Sequence, residues 1–220
     1  MIPDVLYRCK LDQRNETLRY SLRSLRNIPH GEVFMVGDPP PWVANVTRIM
    51  GYRGISRWHV SIGHLYLAAR AMAGRRLLLI DDDTFILTPL DRLPVIHAGP
   101  LEEHMSSKPG SYRRTFEWTL GYLREQGIEQ PLSYERHVPM PMEADVLAEA
   151  LAPVYQRQHP LQARSVYGNL ARVGGEYAED VKVDGEPMPS PFLSVHDRSW
   201  QKVWREKVMA MFPAQSEYEQ

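Results

Sequence analysis

The segment RRLLLIDDDTFIL, Arg75 to Leu87, constrains the fold more than any other: the aliphatic run Leu77 to Ile80 leads straight into Asp81, Asp82 and Asp83. A strand with no polar face is buried on both sides, as in a parallel sheet covered by helices. In open α/β sheets ligands bind outside the carboxyl ends of such strands, so the triplet is expected at a ligand edge. Successive strand residues point to opposite faces, so if the strand continues, Asp81 and Asp83 face one way and Asp82 the other. Two carboxylates on one face repel unless a cation neutralises them, and hard oxygen ligands of this kind suit Mg²⁺ or Mn²⁺. The competing reading is a turn or helix start, where backbone N–H groups favour Asp without any chemistry.

The chain before the triplet alternates between strand and helix patterns. DVLYRCK (Asp4 to Lys10) is a short β-rich run, and NETLRYSLRSLRNI places Leu18, Leu22 and Leu25 at helical spacing with Asn15 as a cap. EVFMVG (Glu32 to Gly37) reads as a strand; SRWHVSIGHLYLAARAMAG carries Ile62, Leu65 and Ala69 on one stripe, with Gly74 as its stop. The alternation predicts an α/β fold with a mostly parallel central sheet flanked by helices.

The second half predicts a helix over 111–126 with Phe116, Leu120 and Leu123 inward, and another in MEADVLAEALAPVYQRQ until Pro153 interrupts it. A last helix, SWQKVWREKVMAMF, puts Trp200, Trp204, Val208 and Met211 on one face. Proline clusters in VPMPM and VDGEPMPSPF predict long loops, where specificity commonly sits. No boundary divides the chain, so a single domain over 1–220 is expected, with about 1–100 on the nucleotide side and about 101–220 on the acceptor side.

Composition excludes several classes. Lys and Arg number 26 against 27 Asp and Glu, a formal net charge of −1, which provides no global attraction to nucleic acid or anionic membrane. The single cysteine, Cys9, rules out an internal disulfide or a thiolate zinc site and reads as a packed, reduced residue. Without a signal-peptide start, or any window near the roughly 18 apolar residues of a membrane span, the expectation is a soluble cytoplasmic protein.

Two enzyme classes place acidic residues after such a strand. In haloacid dehalogenase phosphatases a Thr or Val stands where this chain has Phe85, and their motif usually lies near the chain start. In GT-A glycosyltransferases the apolar strand and D-x-D follow the nucleotide-binding half, the order seen here. The sequence resembles that GT-A class, a Rossmann-like fold, and its amino-terminal part resembles the Stealth group of capsule-type sugar-phosphate transferases. The likeness is carried by RNETLRYSLRSLRNIP, EVFMVGDPPPWV, LLLIDDDTFI, ERHVPMPM and FLSVHDRSW. Small glycosyltransferases of this appearance are also familiar from tailed-phage genomes, which would put the chain in host cytoplasm and widens the acceptors to a glycan, a modified DNA base or a protein.

The resemblance implies a nucleoside diphosphate sugar donor, UDP-sugar first, and a Mn²⁺ or Mg²⁺ ion. Asp83 would ligate the metal, Asp81 would approach the ribose or the same metal, and Asp82 the ribose or donor sugar. Arg14 and Asn15 would meet the nucleotide, though Asn15 is equally a helix cap. His196, ending FLSV, would complete the metal shell and tilt it towards manganese; its plain alternative is a loop histidine. Glu135, His137, Asp145 and Glu117 are candidates for a catalytic base, with YERHVPMPM the most loop-like setting. His59 and His64 read as packed, and Arg19, Arg23, Arg26, Arg113 and Arg114 as solvated faces or ion-pair partners. Competing functions are a Stealth-type sugar-1-phosphate transferase, a non-catalytic metal or nucleotide-binding module, and a phosphatase.

Overall fold

The computed structural model describes residues 2–9, 14–185 and 189–220. In chain order its elements are β1 (Asp4–Cys9), α1 (Glu16–Ser24), β2 (Val33–Gly37), β3 (Thr47–Ile49), α2 (Arg57–Ala71), β4 (Arg76–Ile80) and β5 (Thr84–Ile86). There follow β6 (Ile96–His97), α3 (Leu101–Ser106), α4 (Gly110–Glu125), β7 (Met140–Glu143), α5 (Ala144–Leu151) and α6 (Ala163–Leu170). The chain closes with β8 (Glu176–Tyr177), β9 (Lys182–Val183), β10 (Phe192–Val195), α7 (Asp197–Ser199) and α8 (Arg205–Met211).

The uninterrupted apolar runs become the middle of a sheet ordered β3-β2-β1-β4-β7, as an α/β fold with a mostly parallel sheet requires. β1 pairs in parallel with β2 on one side and with β4 on the other, Leu6 opposite Leu79 and Tyr7 opposite Ile80. The chain therefore builds outward from β1 through β2 and β3, then crosses back to lay β4 on the opposite flank. The carboxyl ends of β1 and β4 meet where the order reverses, the switch point at which such sheets hold ligands.

Side-chain alternation sorts the two faces. Leu6, Leu77 and Leu79 pack with Ile62 and Leu65 of α2 and Leu147 of α5, while Val5, Tyr7, Leu78 and Ile80 pack with Leu18 and Leu22 of α1. Leu79 is wholly buried, and truncating such a leucine to alanine costs about 2–5 kcal/mol. A smaller sheet, β5-β10-β9, sits beyond the triplet and packs Phe85 and Leu193 against Trp200, Trp204, Val208 and Phe212.

Two expectations are corrected. VPMPM is not all loop: Met140–Glu143 forms the edge strand β7, antiparallel to β4. Pro141 is tolerated because an edge position asks for no ladder donor. The carboxyl-terminal stripe also shifts: residues Trp200–Trp204 form a π turn, which takes up an extra residue, and the buried series continues to Phe212 while Met211 is 44% exposed. In the loop VDGEPMPSPF, residues 186–188 lie outside the described residues, as does Lys10 at the end of the first strand. Among the described residues no helix is long and apolar enough to cross a membrane.

Candidate functional site

The strand ends at Ile80, and the amide of Thr84 donates to the carbonyl of Asp81 at 3.0 Å, closing a turn over the triplet. The strand ends there, so its alternation does not carry through the triplet, and Asp81 and Asp83 take different partners. Asp81 continues the inward face of Leu77 and Leu79 and pairs with Arg8 and with Arg164 Nη2, the latter at 2.9 Å. Asp82 turns the other way and accepts from Asn15 Nδ2 at 2.7 Å. Asp83 takes Lys182 Nζ at 2.6 Å and Ser194 Oγ at 3.1 Å.

The Asp81 pair is built from both halves of the chain. Arg8, on β1, also donates to Ser61 of α2; Arg164, on α6 and only 4% exposed, also donates to the carbonyls of Arg136 and Val138 at 3.1 and 2.7 Å. Burial alone would raise the Asp81 carboxyl, but the two guanidinium charges outweigh it and hold the group well below the usual carboxylate range.

This arrangement answers the electrostatic problem of the triplet with protein cations. The expected metal set of Asp81, Asp83 and His196 is not assembled: both Asp81 oxygens are engaged by arginines and Asp83 by Lys182 and Ser194. His196 is brought close in register, since β10 runs antiparallel to β5 and the amide of Val195 donates to the Asp83 carbonyl at 3.2 Å. Its side chain is exposed, and its backbone N–H donates to Ser199 Oγ at the start of α7. Among the described residues no three His, Cys, Asp or Glu side chains form a metal-binding group. The donor set therefore does not fit a bound Mn²⁺ or Mg²⁺.

Asn15 serves both roles foreseen for it. In a left-handed conformation (φ 31°), it caps α1 by accepting from the Leu18 amide at 3.3 Å, while its amide nitrogen reaches Asp82. The carbonyl of Arg14 accepts from Trp42 Nε1 at 2.9 Å, tying Arg14 to the segment after β2. Both residues line a cleft of about 950 Å³ whose near wall adds Arg19 and Trp42, and whose far wall is Trp200, Lys202 and Arg205. Glu16 ties the walls together, accepting from Trp200 Nε1 and pairing with Arg205.

Of the base candidates, two lie near the triplet. Glu135 accepts from the amide and hydroxyl of Ser165 at 3.0 and 3.1 Å, and burial raises its carboxyl despite the nearby Arg164 charge. His137 Nδ1 faces both oxygens of Asp180 at 2.9 and 3.1 Å, and its carbonyl accepts from Thr84 Oγ1 at 3.5 Å. Asp145 is not brought to the site: its carboxylate accepts from the Gly74 amide, before the start of β4, at the opposite edge of the sheet. Glu117 pairs with Arg113 on an exposed helix face. His59 is packed with both ring nitrogens bonded, to Ser56 and to the Gln158 carbonyl; His64 is buried, which lowers its pKa, as does the Arg8 charge. Arg19 and Arg23 pair with Glu219.

Sequence reasoning missed Arg8, Arg164, Asp180 and Lys182. Arg8 left a trace, a charge inside an otherwise apolar strand of the kind that demands a buried partner. The other three sit in unremarkable contexts.

Comparison with protein families and with curated proteins returns no match. Among solved structures the chain is similar to 4-diphosphocytidyl-2C-methyl-D-erythritol synthase from Anaerococcus prevotii, at 8% identity and a TM-score of 0.40, covering 96% of this chain and 95% of that one. At that distance the likeness says nothing of activity.

Proposed function

We propose that the protein is a transferase that holds a nucleoside diphosphate sugar over the carboxyl ends of β1 and β4 and moves the sugar to a hydroxyl acceptor. One observation carries this reading. The 2.7 Å bond between Asn15 and Asp82 joins the helix after β1 to the acidic turn after β4, across the crevice where doubly wound sheets take nucleotides.

The surroundings support it. A cleft of about 950 Å³ beside Asn15 is of the size that holds a small-molecule ligand. Arg14, Arg19, Lys202 and Arg205 outnumber Glu16, Asp197 and Glu206 in its lining, a surplus suited to a diphosphate. Asp82, beside Asn15, is an acceptor for ribose hydroxyls, and Lys182 is the cation nearest Asp83 to meet charge on the leaving diphosphate. The order of the blocks that resemble GT-A glycosyltransferases agrees with this assignment.

The test is a panel of UDP-, GDP- and TDP-sugars, with and without Mn²⁺ and with and without hydroxyl acceptors, reading the released nucleotide. Release of nucleoside diphosphate supports the proposal. Release of nucleoside monophosphate makes the protein a sugar-1-phosphate transferase instead, and neither binding nor turnover of any donor overturns both.

A further inference from the structure

We propose that His137 is the general base of this transfer and that Asp180 positions it; the inference rests on the transferase reading above. Glu135 and His137 come from one loop ahead of β7, and sequence alone leaves both as candidates.

Their hydrogen bonds separate them. The Glu135 carboxylate is spent on Ser165, whose amide lies in the first turn of α6, where backbone donors lack helical partners. It secures the helix that carries Arg164. His137 is held in a different way. Asp180 accepts from both the backbone amide of His137, at 3.2 Å, and Nδ1 of its ring, at 2.9 Å, so one carboxylate fixes the residue at two points.

A carboxylate can only accept, which assigns the Nδ1 proton and leaves the Nε2 lone pair as the basic site. Among the described residues Nε2 makes no hydrogen bond, and the side chain is 34% exposed. Thr84, the residue after the acidic turn, donates to the His137 backbone carbonyl, and the imidazole is near enough for its charge to act on Asp81. Other charged or titratable groups around the pair, among the described residues, include Asp81, His104, Lys108, Tyr112 and Arg136.

In the step this geometry serves, the acceptor oxygen bonds to the anomeric carbon as Nε2 takes its proton. The bond from that carbon to the diphosphate oxygen breaks, and its electron pair leaves with the nucleoside diphosphate. Asp180 then faces an imidazolium, which it stabilises. A direct displacement of this kind inverts the anomeric configuration.

The experiment compares wild-type protein, His137→Gln and Asp180→Asn on a donor and acceptor found by the panel, and records the imidazole nitrogen resonances of the wild-type protein. We expect His137→Gln to lose roughly 10²–10⁴-fold in kcat while donor Kd changes by less than about twofold. Asp180→Asn lowers kcat less, and the acid limb of its pH–rate profile moves to lower pH because the anion beside the ring is gone. The wild-type ring shows the Nδ1–H tautomer, and the product anomer is inverted. Turnover within about threefold of wild type in His137→Gln, a proton on Nε2, or a retained anomer overturns the base assignment and leaves the transferase reading standing. No turnover of any donor by wild-type protein overturns both.

Discussion

Arg164 spans two jobs: one guanidinium nitrogen lies 2.9 Å from Asp81 while the other holds the carbonyls of Arg136 and Val138. Removing it takes the donor from one Asp81 oxygen, the other staying with Arg8, and from two buried carbonyls at once. Breaking a buried pair from one side costs about 3–5 kcal/mol, so Arg164→Met is expected to lower unfolding free energy by that order in urea denaturation. Arg164→Lys restores the charge without the fork and should recover only part. A loss below about 1 kcal/mol in Arg164→Met would count against the pair as a structural anchor.

Acid should destabilise the protein through several groups, of which His104 and Glu219 mark two separate pH windows. His104 is packed in the core, where burial and then the Lys108 and Arg136 charges lower its pKa from 6.5 to about 4. Between those values the unfolded chain binds a proton that the folded protein does not, so stability falls as pH drops through that window. Glu219 follows: burial opposes ionisation, but Arg23, the Ser216 amide and Arg19 bring it from 4.5 down to about 2. Its contribution is complete above 4.5 and is lost as pH falls towards about 2. Thermal unfolding against pH is expected to lose its upper slope in His104→Gln and to flatten at its lower end in Glu219→Gln.

Substitutions at Asn15 can part its cap from its bond to Asp82. Asn15→Ala removes both and puts a non-glycine residue at φ 31°, so about 1–2 kcal/mol of stability should go. Asn15→Gly suits that backbone and should cost only a few tenths of a kcal/mol. Donor binding is expected to weaken roughly tenfold in both, the value of one hydrogen bond to a charged group. Equal donor affinity in Asn15→Gly and wild type would reduce Asn15 to a cap.

Because Asp83 is already paired with Lys182, chelation should leave donor affinity unchanged within about twofold. Isothermal titration with EDTA present reads this directly. Lys182→Met should weaken donor binding in the same buffer. Strict dependence on Mn²⁺ would mean that Asp83 exchanges Lys182 for a metal when donor binds.

The π turn predicts which carboxyl-terminal side chain matters. Phe212 is 1% exposed and Met211 44%, so Phe212→Ala should cost about 3–5 kcal/mol and Met211→Ala within about 0.5. Chemical denaturation of the two variants distinguishes this register from an unbroken α-helix, which would bury Met211.

The strands were legible because uninterrupted apolar runs such as LLLI have few other places to go. α1 was legible down to its cap, since Asn15 and the leucine spacing are local signals. The turn over the triplet was not, because it depends on Asp81, Asp82 and Asp83 finding partners on β1, the cap of α1, α6, β9 and β10. Arg164 and Lys182 lie 83 and 99 residues from the aspartates they neutralise, separations over which sequence carries no pairing signal. Met140–Glu143 was misread because its prolines suggest a loop, whereas an edge strand tolerates them.

The wiring of Asp81 has a consequence for how the protein comes into being. Its two arginines sit at positions 8 and 164, and the lysine that answers Asp83 at position 182, with β10 still to be laid beside β5. A nascent chain stopped near residue 100 would hold the acidic triplet with Arg8 as its only counter-charge of the three. The crevice is thus assembled late, by closure of long loops, and the amino-terminal half alone would carry the aspartates without the site they belong to.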